Sequence, residues 1–137
     1  HVKPHGALYN DMMKDPNVFT AILLALAKYP KKLALMIQAT PEFDDYVAQA
    51  DEFGIKLLSE AFADRCYDDE GRLLSRNQEG AVLDKSAMLE QVKQLVEQNS
   101  VITPSGKVIT LNVDSLCVHG DNPEGVKAIS EIKALLN

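Results

Sequence analysis

The sequence predicts an α/β fold built from parallel βαβ units, and three observations support this prediction. Stretches with apolar residues at helical spacing alternate along the chain with short apolar runs that are typical of strands. These runs show little polar alternation, which indicates a sheet covered on both faces. Three of them end in polar clusters, as strands do at the site-bearing edge of a parallel sheet. Such units form a doubly wound sheet or part of a barrel.

The first part of the chain is expected to form two helices and two strands. The chain opens on the end of a further strand, and the elements after it are a helix at 16–29, a strand at 33–39, a helix at 42–53 and a strand at 55–60. Asp15 is the expected N-cap of the first helix, because Pro16 follows it at the first helical position. Gly54 follows the second helix, where a glycine commonly ends one.

The second part begins with a long polar segment. Residues 61–80 are rich in Asp, Glu, Arg and Gly, and they form too long a connection unless they serve a function. The elements expected after it are a helix at 84–99, a hairpin at 101–111, a strand at 115–119 and a helix at 123–136. The inward face of the helix at 84–99 is expected to comprise Met88, Leu89, Val92, Leu95 and Val96. Either Asp121 or Asn122 is expected to cap the last helix.

Composition argues against several classes of partner. The chain has 137 residues, a length typical of a single α/β domain spanning 1–137, and a net charge of −6. It has no cluster of Lys and Arg for a nucleic acid, no apolar stretch near the roughly 18–20 residues of a membrane span, and no glycine-rich phosphate loop. Cys66 and Cys117 lie far apart and are expected to be free thiols. Free thiols and the absence of a signal peptide predict a cytoplasmic location.

Polar side chains cluster at the ends of three predicted strands. The clusters are Lys3 with His5; Glu60 with Asp64 and Arg65; and His119 with Asp121 and Asn122. Because the C-terminal ends of parallel strands lie at one edge of a sheet, we expect the clusters to converge on one pocket. Such a pocket would hold an acid, a base, an electrophile and an anion-binding group.

Each cluster also has a purely structural interpretation. A histidine at a strand end is often only a hydrogen-bonded structural residue. Asp64 and Arg65 would form an ion pair that holds the long loop. Glu60 would cap the following turn, and the stretch 121–123 would simply start a helix. These interpretations stay open beside the catalytic one.

A divalent metal is a further alternative, because His and Asp are ligands of hydrolytic metal ions. The candidate ligands are His5 and His119 with a carboxylate. They come from separate predicted strands, and the sequence has no close pair such as His-x-x-x-His. The sequence therefore leaves the presence of a metal unknown.

Four motifs connect the chain to a known family. They are Lys3-Pro-His-Gly-Ala-Leu-Tyr-Asn10, Glu60-Ala-Phe-Ala-Asp-Arg65 followed by Tyr67, Arg76 with Gly80-Ala-Val82, and Val118-His-Gly-Asp-Asn-Pro123. Together they resemble the LamB/YcsF family, the A subunits of bacterial ATP-dependent 5-oxoprolinase. The match runs through the whole chain in the right order, and four linked motifs are far more specific than any one of them.

The resemblance implies a (β/α) barrel of the glycoside hydrolase/deacetylase type. It also implies ATP-coupled hydrolysis of the lactam of 5-oxo-L-proline (pyroglutamate) to L-glutamate, with B and C subunits as partners and with ATP as cofactor. A divalent metal stays open. Two alternatives remain: a metal-dependent deacetylase or amidohydrolase on the same barrel, and a non-catalytic assembly subunit.

The resemblance also implies roles for the residues of the motifs. The expected acid, base, metal-facing or orienting groups are His5, Glu60, Asp64, His119 and Asp121. Lys3 and Arg65 would hold an anionic substrate or phosphate, with Arg65 offering the better bidentate fork. Asn10, Tyr67 and Asn122 would position the substrate through hydrogen bonds.

The chain also departs from the family pattern. Family members usually carry an N-terminal half with an Asp-Leu-Asn-type strand and a Cys-Gly-Phe-His-type loop, and neither occurs in this sequence. A typical barrel needs about 250 residues. We therefore expect an incomplete barrel, the C-terminal portion of a larger one. Exposed strand edges would favour its self-association into a homo-oligomer.

Overall fold

A computed structural model describes residues 1–137. The elements in chain order are α1 (Ala7–Lys14), α2 (Pro16–Lys28), β1 (Leu35–Gln38), α3 (Phe43–Glu52), β2 (Leu57–Phe62), α4 (Lys85–Gln98), β3 (Ser100–Ile102), β4 (Val108–Thr110), β5 (Ser115–Cys117), α5 (Pro123–Lys127) and α6 (Ile129–Leu136). The chain divides into two compact units, His1–Glu60 and Ala61–Asn137. The α/β class with parallel strands is confirmed. The single domain and the incomplete barrel stay predictions.

Parallel strands organise the first unit. β1 pairs with β2 in parallel, with Leu35 opposite Leu57 and Gln38 opposite Glu60, and all four residues of β1 are buried. Val2 bonds to the other edge of β1, because its N–H donates to Ala34 O and its carbonyl accepts from Met36 N, both at 2.8 Å. The segment that leads into Lys3 therefore lies along the sheet, as the sequence predicts.

Helix α2 begins and ends within one residue of its predicted bounds. Asp15 caps it, because its carboxylate accepts a hydrogen bond from Asn17 N at 2.8 Å and Pro16 needs no donor partner. Phe19 is buried, and its ring meets Tyr46 of α3 edge-on with centroids 5.1 Å apart. The aromatic pair joins the two predicted helices of this unit.

The structure of the first unit differs from the sequence interpretation in two places. The sequence interpretation left residues 7–14 without an element, but they form α1 after Gly6, whose φ of 58° suits glycine. Strand β2 begins and ends two residues later than expected, since residues 61 and 62 continue it. Asp64 and Arg65 therefore lie two and three residues after the end of the strand and not deep in a loop.

Helix α4 supplies much of the core of the second unit. It begins after Asp84, whose carboxylate accepts from Ala87 N at 2.8 Å, and it ends at Asn99 in the left-handed conformation. The buried cluster comprises Ala63, Met88, Val92, Ala128 and Ile132. Val96, expected inward, is 43% exposed. Gln91 is buried instead, because backbone carbonyls that need a donor face it there.

A hairpin and a broken helix complete the second unit. β3 and β4 pair antiparallel, with Ser100 opposite Thr110, as predicted. The helix expected at 123–136 is two helices that meet at Ala128. No helix of the chain has the length and apolar character needed to cross a membrane.

The long segment 61–80 is held by the hairpin. The Asp69 carboxylate accepts from the hydroxyls of Thr103 and Ser105, and the Lys107 ammonium donates to the Asp69 carbonyl. The two hydroxyl bonds hold the pKa of Asp69 below its usual value. The segment is therefore folded against its neighbours rather than being a plain solvated loop.

Candidate functional site

In the first unit, the carboxylate of Glu60 in β2 accepts hydrogen bonds from two side chains. Its Oε1 lies 2.6 Å from Lys3 Nζ and its Oε2 accepts from the Tyr9 hydroxyl at 3.0 Å. The carboxylate is almost fully buried, with 4% of the side chain exposed. Lys3 and Glu60, both predicted site residues, are thus brought together, and the Lys3 charge is already neutralised.

Asp64 and His119 form a second cluster, in the second unit. Residue 63, directly before Asp64, donates its N–H to Cys117 O at 2.9 Å, which brings the end of β2 beside the end of β5. The Asp64 carboxylate therefore reaches His119, with Asp64 Oδ1 and His119 Nδ1 3.0 Å apart. Asn122 Nδ2 donates to the other oxygen of Asp64, also at 3.0 Å. The structure thus joins three of the predicted residues.

The environment of Asp64 assigns the tautomer of His119. Asp64 is 1% exposed and receives hydrogen bonds from the Asn122 amide and, at 3.4 Å, from the His119 backbone N–H. A carboxylate surrounded by donors acts as an acceptor, so His119 Nδ1 carries the proton that points at it. The other ring nitrogen, Nε2, then keeps its lone pair. His119 Nε2 is consequently a free acceptor in this tautomer, on a side chain that is 22% exposed.

Phe62 and Tyr67 support this cluster. The Phe62 ring stacks on the His119 imidazole, with centroids 5.2 Å apart and planes 19° apart. The Tyr67 hydroxyl accepts from Phe62 N at 2.9 Å, and the Tyr67 side chain is buried. Tyr67 therefore orients the strand end, while its predicted contact with substrate stays a prediction.

Arg65 does not pair with Asp64, so the ion pair that the sequence suggested is wrong. The buried guanidinium donates instead to Leu74 O and thereby ties down the polar segment. Its Nε is buried and has no acceptor in the chain. Burial, and next the charge of Arg76, lower the pKa of Arg65. Its role as an anion-binding group stays a prediction.

Asp121 forms a bidentate pair with Arg76 at the surface. Arg76 Nη1 and Nη2 lie 3.0 and 3.2 Å from the two carboxylate oxygens. The pair ties the segment 61–80 to the turn that carries His119. Asp121 is therefore not the cap of α5; that position belongs to Asn122.

Replacing Arg76 by Gln is expected to raise the pKa of Asp121 toward its ordinary value. The Arg76 hydrogen bond is the main reason that this pKa is low, so the folded protein favours the carboxylate form. The pair therefore stabilises the fold above the ordinary pKa, and its contribution is lost as pH falls through the lowered one. An NMR titration of the Asp121 carboxyl carbon measures the change. Arg72→Gln is the control, since Arg72 pairs with Asp68 and Glu70; an unmoved Asp121 midpoint in Arg76→Gln contradicts the assignment.

Besides Arg65 and Asp121, two further predicted site residues lie outside both clusters. The side chains of His5 and Asn10 are exposed and make no hydrogen bond or ion pair in this structure. The convergence of the clusters on one pocket also stays a prediction. No group of three or more His, Cys, Asp or Glu side chains forms a ready metal site.

Sequence reasoning assigned no role to three residues that hold the clusters. Tyr9 and Arg76 lie in the quoted motifs, which was the available signal. Gln91 donates from Nε2 to the carbonyls of residues 62, 63 and 65, at 2.9, 3.2 and 2.8 Å. The available signal for Gln91 was its place in the sequence, as a polar residue between Met88 and Val92 of the inward helix face.

The cysteines are free, as predicted. The Cys66 thiol lies 3.0 Å from Gly80 O as a hydrogen-bond donor, and burial raises its pKa. A protonated, hydrogen-bonded thiol is a poor nucleophile. Cys66 is therefore a structural residue.

The fold and the second cluster define an α/β protein in which a buried carboxylate is hydrogen-bonded to a histidine just beyond the ends of neighbouring strands. The model of the LamB/YcsF family matches residues 1–137, and the chain belongs to the LamB/YcsF family. Its relatives include proteins named as the A subunit of 5-oxoprolinase. That of Vibrio campbellii is 48% identical over 99% of this chain and 54% of its own length, and that of Pseudomonas fluorescens is 42% identical over 100% and 55%.

A solved structure agrees with this assignment. The crystal structure of the Lactam Utilization Protein from Thermus thermophilus matches with a TM-score of 0.83 and 30% identity, over 98% of this chain and 53% of that one. The chain thus spans about half the length of the relatives it matches.

Proposed function

We propose that the chain is part of the A subunit of an ATP-dependent 5-oxoprolinase, which hydrolyses 5-oxo-L-proline to L-glutamate together with B and C subunits. The names of the relatives support this proposal. The observation that carries it is the hydrogen bond, at 3.0 Å, between the buried Asp64 carboxylate and Nδ1 of the partly exposed His119. Lactam hydrolysis needs a base for water, and this pair supplies one.

In the proposed reaction His119 acts on the attacking water. Nε2 takes a proton as the water oxygen bonds to the lactam carbonyl carbon, and Asp64 stabilises the imidazolium that forms. The ring C–N bond then breaks, and the proton passes from His119 to the departing nitrogen. The product is the open-chain amino acid, with a new carboxyl group at the former lactam carbonyl.

Glu60 is proposed as a second functional group. With Lys3 and Tyr9 both donating to it, Glu60 is a charged acceptor held in one orientation. Replacing Lys3 would leave a buried carboxylate with a single donor, so this substitution would also destabilise the fold. The role of Glu60 as a base or orienting group rests on the resemblance.

ATP and its metal do not fit a site formed by this chain alone. A triphosphate needs several converging cations or backbone donors. Lys3 is paired with Glu60, Arg76 with Asp121, and Arg65 donates to a backbone carbonyl. ATP would supply the free energy for opening a stable amide, and no step above is routed through it.

The proposal predicts ATP-dependent glutamate release from 5-oxoproline by the full-length protein mixed with its B and C subunits. The measurement is glutamate formed with and without ATP. N-acetylglutamate is the control substrate, because it keeps the α-carboxylate of 5-oxoproline but carries an acyclic amide in place of the lactam.

The outcomes separate the three functions that the sequence left open. Glutamate that appears from 5-oxoproline only with ATP supports the lactamase. Release of acetate without ATP would indicate the deacetylase or amidohydrolase. No product from either substrate, with complex formation intact, would indicate a purely assembling role and would overturn the proposal.

A further inference from the structure

We infer that Asn122 is a positioning residue that holds the Asp64–His119 pair in one geometry; this role rests on the function proposed above. The sequence predicted that Asn122 contacts the substrate. In the structure both ends of its amide bond to the protein. Nδ2 donates to Asp64 Oδ2 at 3.0 Å, and Oδ1 accepts from Gly125 N at 3.2 Å, which caps α5.

These two bonds allow only one orientation of the Asn122 amide. Exchanging its oxygen and nitrogen would place the NH₂ group against the Gly125 N–H and the carbonyl against the Asp64 carboxylate. Both new contacts would be repulsive. The hydrogen bond from Gly125 N to Oδ1 therefore determines that the NH₂ group of Asn122 faces Asp64. The capping hydrogen bond and the hydrogen bond to the carboxylate depend on each other.

The start of α5 is itself tightly packed beside His119. A Cβ added at Gly125 would lie 2.7 Å from Val118 Cγ1 and 3.3 Å from Asn122 Cγ, so the buried glycine leaves no space for a larger residue. Val118 immediately precedes His119. Asn122 is thus anchored on a helix start that packs against the side chain of the residue preceding the proposed base.

The carboxylate that Asn122 contacts needs such an anchor. The terminal torsion of an Asp side chain is broad, so a single hydrogen bond does not fix the plane of the carboxylate. Asp64 uses Oδ1 for His119 Nδ1, while Oδ2 accepts from Asn122 Nδ2 at 3.0 Å and, at a longer 3.4 Å, from the His119 backbone N–H, so Asn122 is the stronger donor to Oδ2. Two donors on different oxygens set that plane, and with it the direction of the His119 ring and its Nε2.

Two variants of Asn122 test this role in the full-length protein assembled with its partner subunits. Asn122→Ser keeps an oxygen that can accept from Gly125 N, but its side chain is too short to reach Asp64. Asn122→Asp keeps the size of the side chain and the capping oxygen, but it places a second carboxylate against that of Asp64. We expect kcat to fall about 10- to 100-fold with KM unchanged, because the base is misplaced while substrate contacts remain. Asp84→Ser is the control, since it likewise places a serine at a helix N-cap, that of α4, and should leave kcat unchanged.

A second measurement does not depend on the reaction. The Nδ1 proton of His119 is expected as a downfield NMR signal in the substrate-free protein, and both Asn122 variants should shift or broaden it, whereas Asp84→Ser should not. If the unsubstituted complex forms no glutamate, the proposed function fails while this signal still tests Asn122. An unchanged signal, or a raised KM with an unchanged kcat, overturns the positioning role.

Discussion

Replacing His119 with Asn is expected to slow the turnover of 5-oxoproline by about 10²- to 10⁴-fold in kcat, the usual contribution of a general base. The Asn amide reproduces the Nδ1 donor of the imidazole, so the bond to Asp64 and the local fold should persist. The variant lacks the Nε2 lone pair that would take the proton from the attacking water. KM should change little, because no substrate contact is removed.

The experiment uses steady-state kinetics of the assembled enzyme. His1→Asn is the matched control, because His1 is exposed and the substitution is the same. Asp64→Asn should cause a similar loss by a different route, since an amide donor facing Nδ1 would favour the tautomer with the proton on Nε2. Retention of normal kcat by His119→Asn would exclude His119 as the base.

The second large effect is expected on stability. Replacing Gln91 with Leu should lower the free energy of unfolding by about 2–4 kcal/mol, since the hydrogen bonds of the buried Gln91 amide to three backbone carbonyls are lost, at roughly 0.5–1.5 kcal/mol each. The carbonyls concerned belong to Phe62, Ala63 and Arg65, which flank Asp64. Leucine fills a similar volume, so the loss measures the hydrogen bonds rather than a cavity.

Urea unfolding of the two proteins measures this difference. Gln94→Leu is the control on the same helix, because the Gln94 side chain donates to the Ser100 hydroxyl at 2.7 Å and that hydroxyl can turn to another partner. We expect it to lose less than about 1 kcal/mol. Equal losses in the two variants would show that the carbonyl bonds of Gln91 carry no special stability.

The sequence by itself determined most of the local elements. Asp15 with Pro16, and Asp84, mark helix starts because a short polar side chain satisfies backbone donors that a helix leaves unpaired. Apolar runs marked β1, and turn residues with β-branched neighbours marked the hairpin of β3 and β4. Each of these signals depends on residues that are neighbours in the sequence, so it can be recognised from the sequence alone.

Some boundaries were misplaced because distant partners decide them. Strand β2 extends past its expected end at Glu60, and the residue that follows it bonds to Cys117 in β5. The expected helix at 123–136 breaks at Ala128, which is itself buried in the core. Gln91 is inward although it is polar, since the backbone near Asp64 needs donors. Periodicity cannot report contacts between residues this far apart in sequence.

The motifs identified the residues that carry the candidate chemistry, but the tertiary structure decided how they combine. Two histidines follow apolar runs with the same His-Gly pattern, at His5 and His119. Only His119 meets a buried carboxylate; His5 is exposed. Asp64 pairs with His119 rather than with its neighbour Arg65 because the ends of β2 and β5 lie side by side. The sequence supplied the acid and the base, and the fold alone determined their pairing, since hydrogen bonds depend on distances in space rather than along the chain.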